Sequence, residues 1–156
     1  QEYVVKGTST LHDWQMTSED AKGFVLVGMA DNGLPSFSKS EIVLLAESLK
    51  SGKKGMDKNA YKALKTDEFE SIKFVLNDCI METTTRGKAM ASLNIAGYTR
   101  DVTFNIEVEK AGEAYTITGT SDFRLTDFQI DPPTALMGTI KTGDEVTIQF
   151  KATFQN

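Results

Sequence analysis

The chain has 156 residues, 40% of them apolar and 25% charged, with a net charge of −5, which is the length of one domain with enough apolar side chain to bury a core. This composition excludes a disordered chain and the basic surface of a nucleic-acid-binding protein. A single cysteine, Cys79, and a single histidine, His12, exclude an internal disulfide and a Cys/His metal centre, and apolar runs such as Ile42-Val43-Leu44-Leu45-Ala46 are far too short to cross a bilayer as a helix.

In chain order, strands are expected around 2–10, 22–30 and 40–49, the last two separated by the turn sequence Asp31-Asn32-Gly33-Leu34-Pro35. Residues 55–66 break the rhythm. There Met56, Ala60, Tyr61 and Leu64 recur at helical spacing, with Asp57 placed to cap the first turn. Period-two alternation then resumes in Ile72-Phe74-Leu76 and in Ala89-Ala91-Leu93-Ile95, with residues 83–87 as the turn between them. Val102, Phe104, Ile106 and Val108 alternate with polar residues, and Ala111-Gly112-Glu113 turns the chain into a strand running from Tyr115 to Leu125. Asp131-Pro132-Pro133 interrupts the pattern, and Thr134 to Met137 is expected to form a short helical turn folded over an opening. The last strand alternates Val146, Ile148, Phe150, Ala152 and Phe154 against polar residues. The count is about eight strands, in a single domain over 1–156.

Strands with one apolar face and almost no helix to cover them must form a sandwich or close into a barrel. The inward positions mix small residues (Ala89, Ala91, Gly119, Ser121, Ala152) with large ones (Phe104, Phe123, Phe150). Small inward residues either leave a dry space for an apolar ligand or relieve crowding in a filled barrel. The sequence leaves both open.

Several segments, taken in order, resemble the YceI-like family of lipocalin-type lipid carriers. They are Gly7-Thr8-Ser9-Thr10-Leu11-His12-Asp13-Trp14, Glu47 to Ser51 leading into Gly55-Met56-Asp57, Ala63-Leu64-Lys65 before Ser71-Ile72-Lys73-Phe74, Leu93 to Val102, Phe123 to Pro133, and Gly138 to Val146. The resemblance implies an all-β, eight-stranded antiparallel lipocalin-like barrel with one short helix, exported to the bacterial periplasm, its interior similar to that of polyisoprenoid carriers. A chain that begins at Gln1 agrees with a mature product from which a signal peptide has been removed, and equally with a chain trimmed at that residue.

The expected lining of such an interior comprises Trp14, Phe24, Leu45, Phe74, Leu76, Phe104, Phe123 and Phe150, each on the apolar face of an alternating segment. Met56, Tyr61 and Leu64 form an apolar stripe on the helix, which serves either as a lid or as a plug at one barrel end. Six lysines face one aspartate between residues 50 and 65. Such a patch is either a solvated loop or a site for an anionic headgroup or membrane surface, and Lys53, Lys54 and Arg100 are the headgroup candidates. Arg100, placed in a turn after Gly97, has Asp101 or Asp122 as its expected partner.

Catalysis is not expected. His12 and Asp13 are strand neighbours that point to opposite faces, the sequence has neither a nucleophile elbow nor a dinucleotide fingerprint, Gly52-Lys53-Lys54-Gly55 lacks phosphate-loop spacing, and Cys79 reads as a small buried hydrophobe. The function expected is a non-enzymatic carrier of a polyisoprenoid, quinone-like or fatty amphiphile, without metal or other cofactor. The alternative is a packed barrel that contacts a protein or a membrane without a bound lipid, and pairing of two chains is compatible with either.

Overall fold

The computed structural model describes residues 2–135 and 138–155. In chain order it contains β1 (Glu2–Ser9), β2 (Trp14–Ser18), β3 (Lys22–Met29), β4 (Pro35–Leu45), α1 (Lys54–Leu64), β5 (Ser71–Met81), β6 (Arg86–Ile95), β7 (Tyr98–Ala111), β8 (Ala114–Arg124), β9 (Thr134–Ala135) and β10 (Ile140–Gln155), with 3-10 turns at Ala46–Ser48 and Leu125–Phe128. No helix among the described residues is long and apolar enough to cross a membrane.

Every strand pair is antiparallel, and the sheet order is β2-β1-β10-β8-β7-β6-β5-β4-β3, with β9 beside the start of β10. The sheet rolls into a barrel because each strand turns one apolar face inward. On β7, for example, Phe104, Ile106 and Val108 are buried while Thr103, Asn105 and Glu107 are exposed. Rings from opposite walls meet across the interior: Tyr3 of β1 lies 5.8 Å from Phe74 of β5, and Phe37 of β4 lies 5.9 Å from Tyr115 of β8, centroid to centroid. Among the described residues β2 and β3 do not pair with each other. Thr17 of β2 instead exchanges two backbone hydrogen bonds of 2.9 Å with Lys50, which ties the seam to the chain leaving β4.

The all-β, lipocalin-like barrel class holds, with ten strands in place of eight. The two additional strands are short. β2 has five residues and β9 two, too few for alternation to show. Thr134 and Ala135 thus form a two-residue strand where a helical turn was expected, and Leu136 and Met137 lie outside the described residues. The helix falls where its spacing predicts, but Asp57 does not cap it. Lys53 occupies the capping position without a side-chain bond, and Asp57 Oδ1 accepts from the Ser51 N–H at 2.9 Å and from the Ser51 hydroxyl at 2.6 Å.

The β6–β7 turn consists of Ala96 and Gly97 alone, with φ of 51° and 82°, the two positive angles of a type I′ hairpin. Gly97 has a second constraint, since a Cβ there would meet the Phe69 ring at 2.6 Å. Arg100 therefore stands within β7, exposed, with Nη1 donating to the Thr99 carbonyl at 3.1 Å. Its expected partners are engaged elsewhere: Asp101 accepts from Ser92 and Asp122 from Thr147.

Candidate ligand-binding cavity

The barrel is filled at one end and hollow at the other. At the filled end the small residues do not leave space; they are occupied by neighbours. A Cβ on Gly119 would lie 2.5 Å from the Phe150 ring, and Ala91, Ser121 and Ala152 are buried in packed surroundings. Above this end, four rings close a circuit across the barrel. Tyr3, Phe74, Phe104 and Phe150 follow one another at centroid separations of 5.8, 6.0 and 5.4 Å, and Phe150 returns to Tyr3 at 5.6 Å. Stacked, tilted and edge-on rings at these distances make a packed floor.

Over the floor lies a cavity of about 570 Å³, within the range of roughly 300–1,000 Å³ typical of small-molecule sites. Its walls are the inward residues at the open ends of the strands: Val5 of β1, Met16 of β2, Leu44 of β4, Ile72 of β5, and Val146 and Ile148 of β10. Leu49, Leu125 and Ile130 fill the gaps between strand ends. Helix α1 forms the roof with Met56, Ala60, Ala63 and Leu64, all half-buried. Polar groups gather at the mouth, where Ser9, His12, Lys53, Lys58 and Asn59 meet the cavity.

The roof is fastened at two points. The Tyr61 hydroxyl is shared between the Leu49 carbonyl at 2.6 Å and the Glu47 carbonyl at 3.0 Å, and Asp57 holds Ser51 at the other end of the helix. The helix spans the open end with the hollow directly beneath it, so it covers the cavity and does not plug it. Lys50 Nζ lies 5.4 Å over the Tyr61 ring, and its hydrogen bond to Tyr61 raises the pKa of the exposed ammonium.

Of the residues expected at such a site, Trp14, Phe74, Phe123, Met56, Leu64 and Lys53 line the cavity. Trp14 also donates from Nε1 to the Thr8 carbonyl at 3.0 Å, and its ring lies so close over Gly7 that no side chain fits there. Phe104 and Phe150 belong to the floor and do not reach the cavity. Leu76 is half-buried against the core, and Tyr61 is turned toward the chain at 47–49. Phe24 and Leu45 are corrections: they are 53% and 58% exposed on the outer face. In Phe24-Val25-Leu26-Val27 and Ile42-Val43-Leu44-Leu45 both faces are apolar, so the residue types do not reveal which points inward. The structure turns Val25, Val27, Ile42 and Leu44 inward. Lys54 and Arg100 are exposed and do not line the cavity.

Residues missed at the sequence level include strand-mates of those chosen, such as Met16 beside Trp14 and Ile72 beside Phe74, Tyr3 and Val5 from β1, where none was chosen, and Leu49 beyond the end of β4. Proximity of their strand ends to the inserted helix was the signal that would have found them.

The other reactive side chains have structural surroundings. His12 Nδ1 meets the backbone carbonyl of Asp13, at 2.7 Å, and not its carboxylate. The Cys79 thiol is half-buried, and desolvation, with Asp78 adding to it, pushes its pKa up, away from the thiolate a nucleophile needs. No group of three or more metal-ligating side chains occurs among the described residues.

The solved structures most relevant to this geometry are distant in sequence. Burkholderia cenocepacia BcnA superposes with a TM-score of 0.78 at 15% identity, covering 99% of this chain and 96% of that one. A polyisoprenoid-binding domain from Saccharophagus degradans, implicated in plant cell wall breakdown, gives 0.70 at 10% identity over 98% and 93% of the two chains. The Campylobacter jejuni YceI protein gives 0.70 at 13% identity over 86% and 81%. No curated protein matches the sequence. These likenesses show a common fold, and the sequence itself matches the model of the YceI-like domain over residues 4–154, so the chain belongs to the YceI-like family.

Proposed function

We propose that this protein is a non-catalytic, exported carrier that holds the apolar chain of a polyisoprenoid, quinone-like or fatty amphiphile between the aromatic floor and helix α1. The observation that carries the reading is the cavity of about 570 Å³, walled mainly by aliphatic and aromatic side chains, with its charged side chains at the mouth. Such a space is costly to hydrate and gains about 25 cal/mol for each Å² of ligand apolar surface taken from water. The polyisoprenoid-binding domain from Saccharophagus degradans, which shares the fold, supports this class of ligand. The exposed lysines of α1 and the preceding loop lie beside the mouth, and we propose that they turn it toward anionic membrane surfaces during loading.

Native mass spectrometry of protein purified without detergent, followed by organic extraction, tests the reading. A stoichiometric prenyl or fatty molecule is the expected result. A clean apo mass that incubation with prenyl quinones and fatty amides leaves unchanged would overturn it.

A further inference from the structure

Tyr3 is a polar residue in a place that apolar packing alone does not require. It stands in the cavity floor, only 4% exposed, with its ring stacked on Phe150 and tilted against Phe74. Its hydroxyl is bonded to no described group. No described side-chain polar atom is both sealed from open space and unpartnered, so that hydroxyl keeps open surface, and the open space that Tyr3 lines is the cavity. The polar side chain opposite it in register, Ser18, is already engaged, its Oγ 2.7 Å from Ser48 Oγ. Burial raises the phenol pKa well above its ordinary value, so the group remains a neutral O–H donor throughout the physiological range.

A hydroxyl at the floor of an apolar cavity has no partner in the protein, and a ligand that displaces water from the cavity must satisfy it or leave it unpaired. Phenylalanine would complete the aromatic circuit with the same ring area. We propose, building on the carrier reading, that the deep end of the ligand bears a neutral hydrogen-bond acceptor, such as the carbonyl oxygen of a quinone, ketone, amide or ester, which accepts from Tyr3 Oη. An anionic headgroup does not suit this position: the lysines that line the cavity, Lys53 and Lys58, belong to the loop and helix at the mouth, and a charge buried among aromatic rings without a partner is strongly disfavoured. Charged headgroups are thereby assigned to the mouth, and oxygen-bearing neutral ends to the floor.

The test uses the full chain and its Tyr3→Phe variant with two probes of equal chain length, methyl pentadecyl ketone and n-heptadecane. Binding is read by displacement of a fluorescent fatty probe, and the ketone, isotopically labelled at its carbonyl, is followed by infrared difference spectroscopy. In the wild-type protein the carbonyl stretch is expected to fall to a hydrogen-bonded frequency, and in Tyr3→Phe to return to its value in alkane solvent. Ketone affinity should drop roughly three- to tenfold in the variant, the worth of one hydrogen bond, while heptadecane affinity is unchanged. Equal changes for both probes, or a carbonyl frequency indifferent to the substitution, overturns the assignment and leaves the carrier reading standing. Failure of both probes to bind the wild-type protein overturns the two together.

Discussion

At the scale of single residues, position along the barrel axis decides what an inward side chain does. Gly119 and Ala60 are both small and inward, yet Gly119 lies at the filled end under the Phe150 ring, whereas Ala60 faces the hollow from the roof. Gly119→Leu is therefore expected to strain the packed end and lower unfolding stability by about 1–3 kcal/mol, as read by urea titration. Ala60→Phe occupies cavity space and should cut ligand affinity at least tenfold without lowering the melting temperature. If Ala60→Phe binds as well as wild type, the cavity is not the binding site. Tyr3 gives a pH dependence with a definite sign. Its folded-state pKa is raised by desolvation, so below the ordinary phenol value the proton is bound in both states and its contribution is constant. Above about pH 10 the unfolded chain releases that proton first, and stability falls as pH rises. Urea midpoints from pH 9 to 11 should decline more steeply for wild type than for Tyr3→Phe; parallel slopes would contradict the burial of the phenol. Alternation revealed which face of most strands is apolar, but not depth. The aromatic residues chosen from the pattern therefore divide between cavity (Trp14, Phe74, Phe123), floor (Phe104, Phe150) and exterior (Phe24).

At the scale of elements, the long strands and the helix were legible because each repeats its period several times. β7 and β10, of 14 and 16 residues, show alternation over many turns of the pattern, and α1 shows Met56, Ala60 and Leu64 at four-residue steps. What was not legible is where the period slips. Between Leu76 and Asp78 the β5–β6 register shifts by a bulge, so Phe74 and Leu76 point inward before it and Cys79 and Met81 after it, while Ile80 emerges 55% exposed. A similar shift between Val25 and Leu26 lets β4 place both Phe37 and Ile42 in the core. A bulge depends on the partner strand, and no local residue preference announces it. The roof is the element whose role is most open to manipulation. Tyr61 binds the chain at 47–49 through its hydroxyl and packs its ring against the core and under Lys50, so Tyr61→Phe keeps the ring and removes one of the two fastenings. A loss of about 1 kcal/mol in stability is expected, together with faster release of a fluorescent fatty probe in stopped-flow exchange. Unchanged release would mean that the helix does not gate the cavity.

At the scale of the whole molecule, charge and shape are arranged about the same axis. The chain carries a net charge of −5, yet residues 50–65 hold six lysines against one aspartate, and Lys53 and Lys58 from this group meet the cavity at its mouth. An overall negative protein with a positive mouth is repelled by an anionic bilayer in most orientations and attracted in one, the orientation that brings the cavity to the lipid. The attraction acts over about a Debye length, roughly 8–10 Å at physiological salt, so it governs the encounter more than the bound state. Transfer rate and solution affinity then separate. Transfer of a fluorescent prenyl probe from vesicles should accelerate as phosphatidylglycerol replaces phosphatidylcholine and slow again with added salt, while the affinity for probe already in solution stays constant. The variant Lys54→Glu/Lys62→Glu, which changes exposed residues outside the cavity lining, should lose the dependence on anionic lipid and retain the solution affinity. Transfer that ignores vesicle charge in the wild-type protein would show that the lysines are merely solvated, and that loading proceeds through the aqueous phase at a rate set by release of the amphiphile from the bilayer.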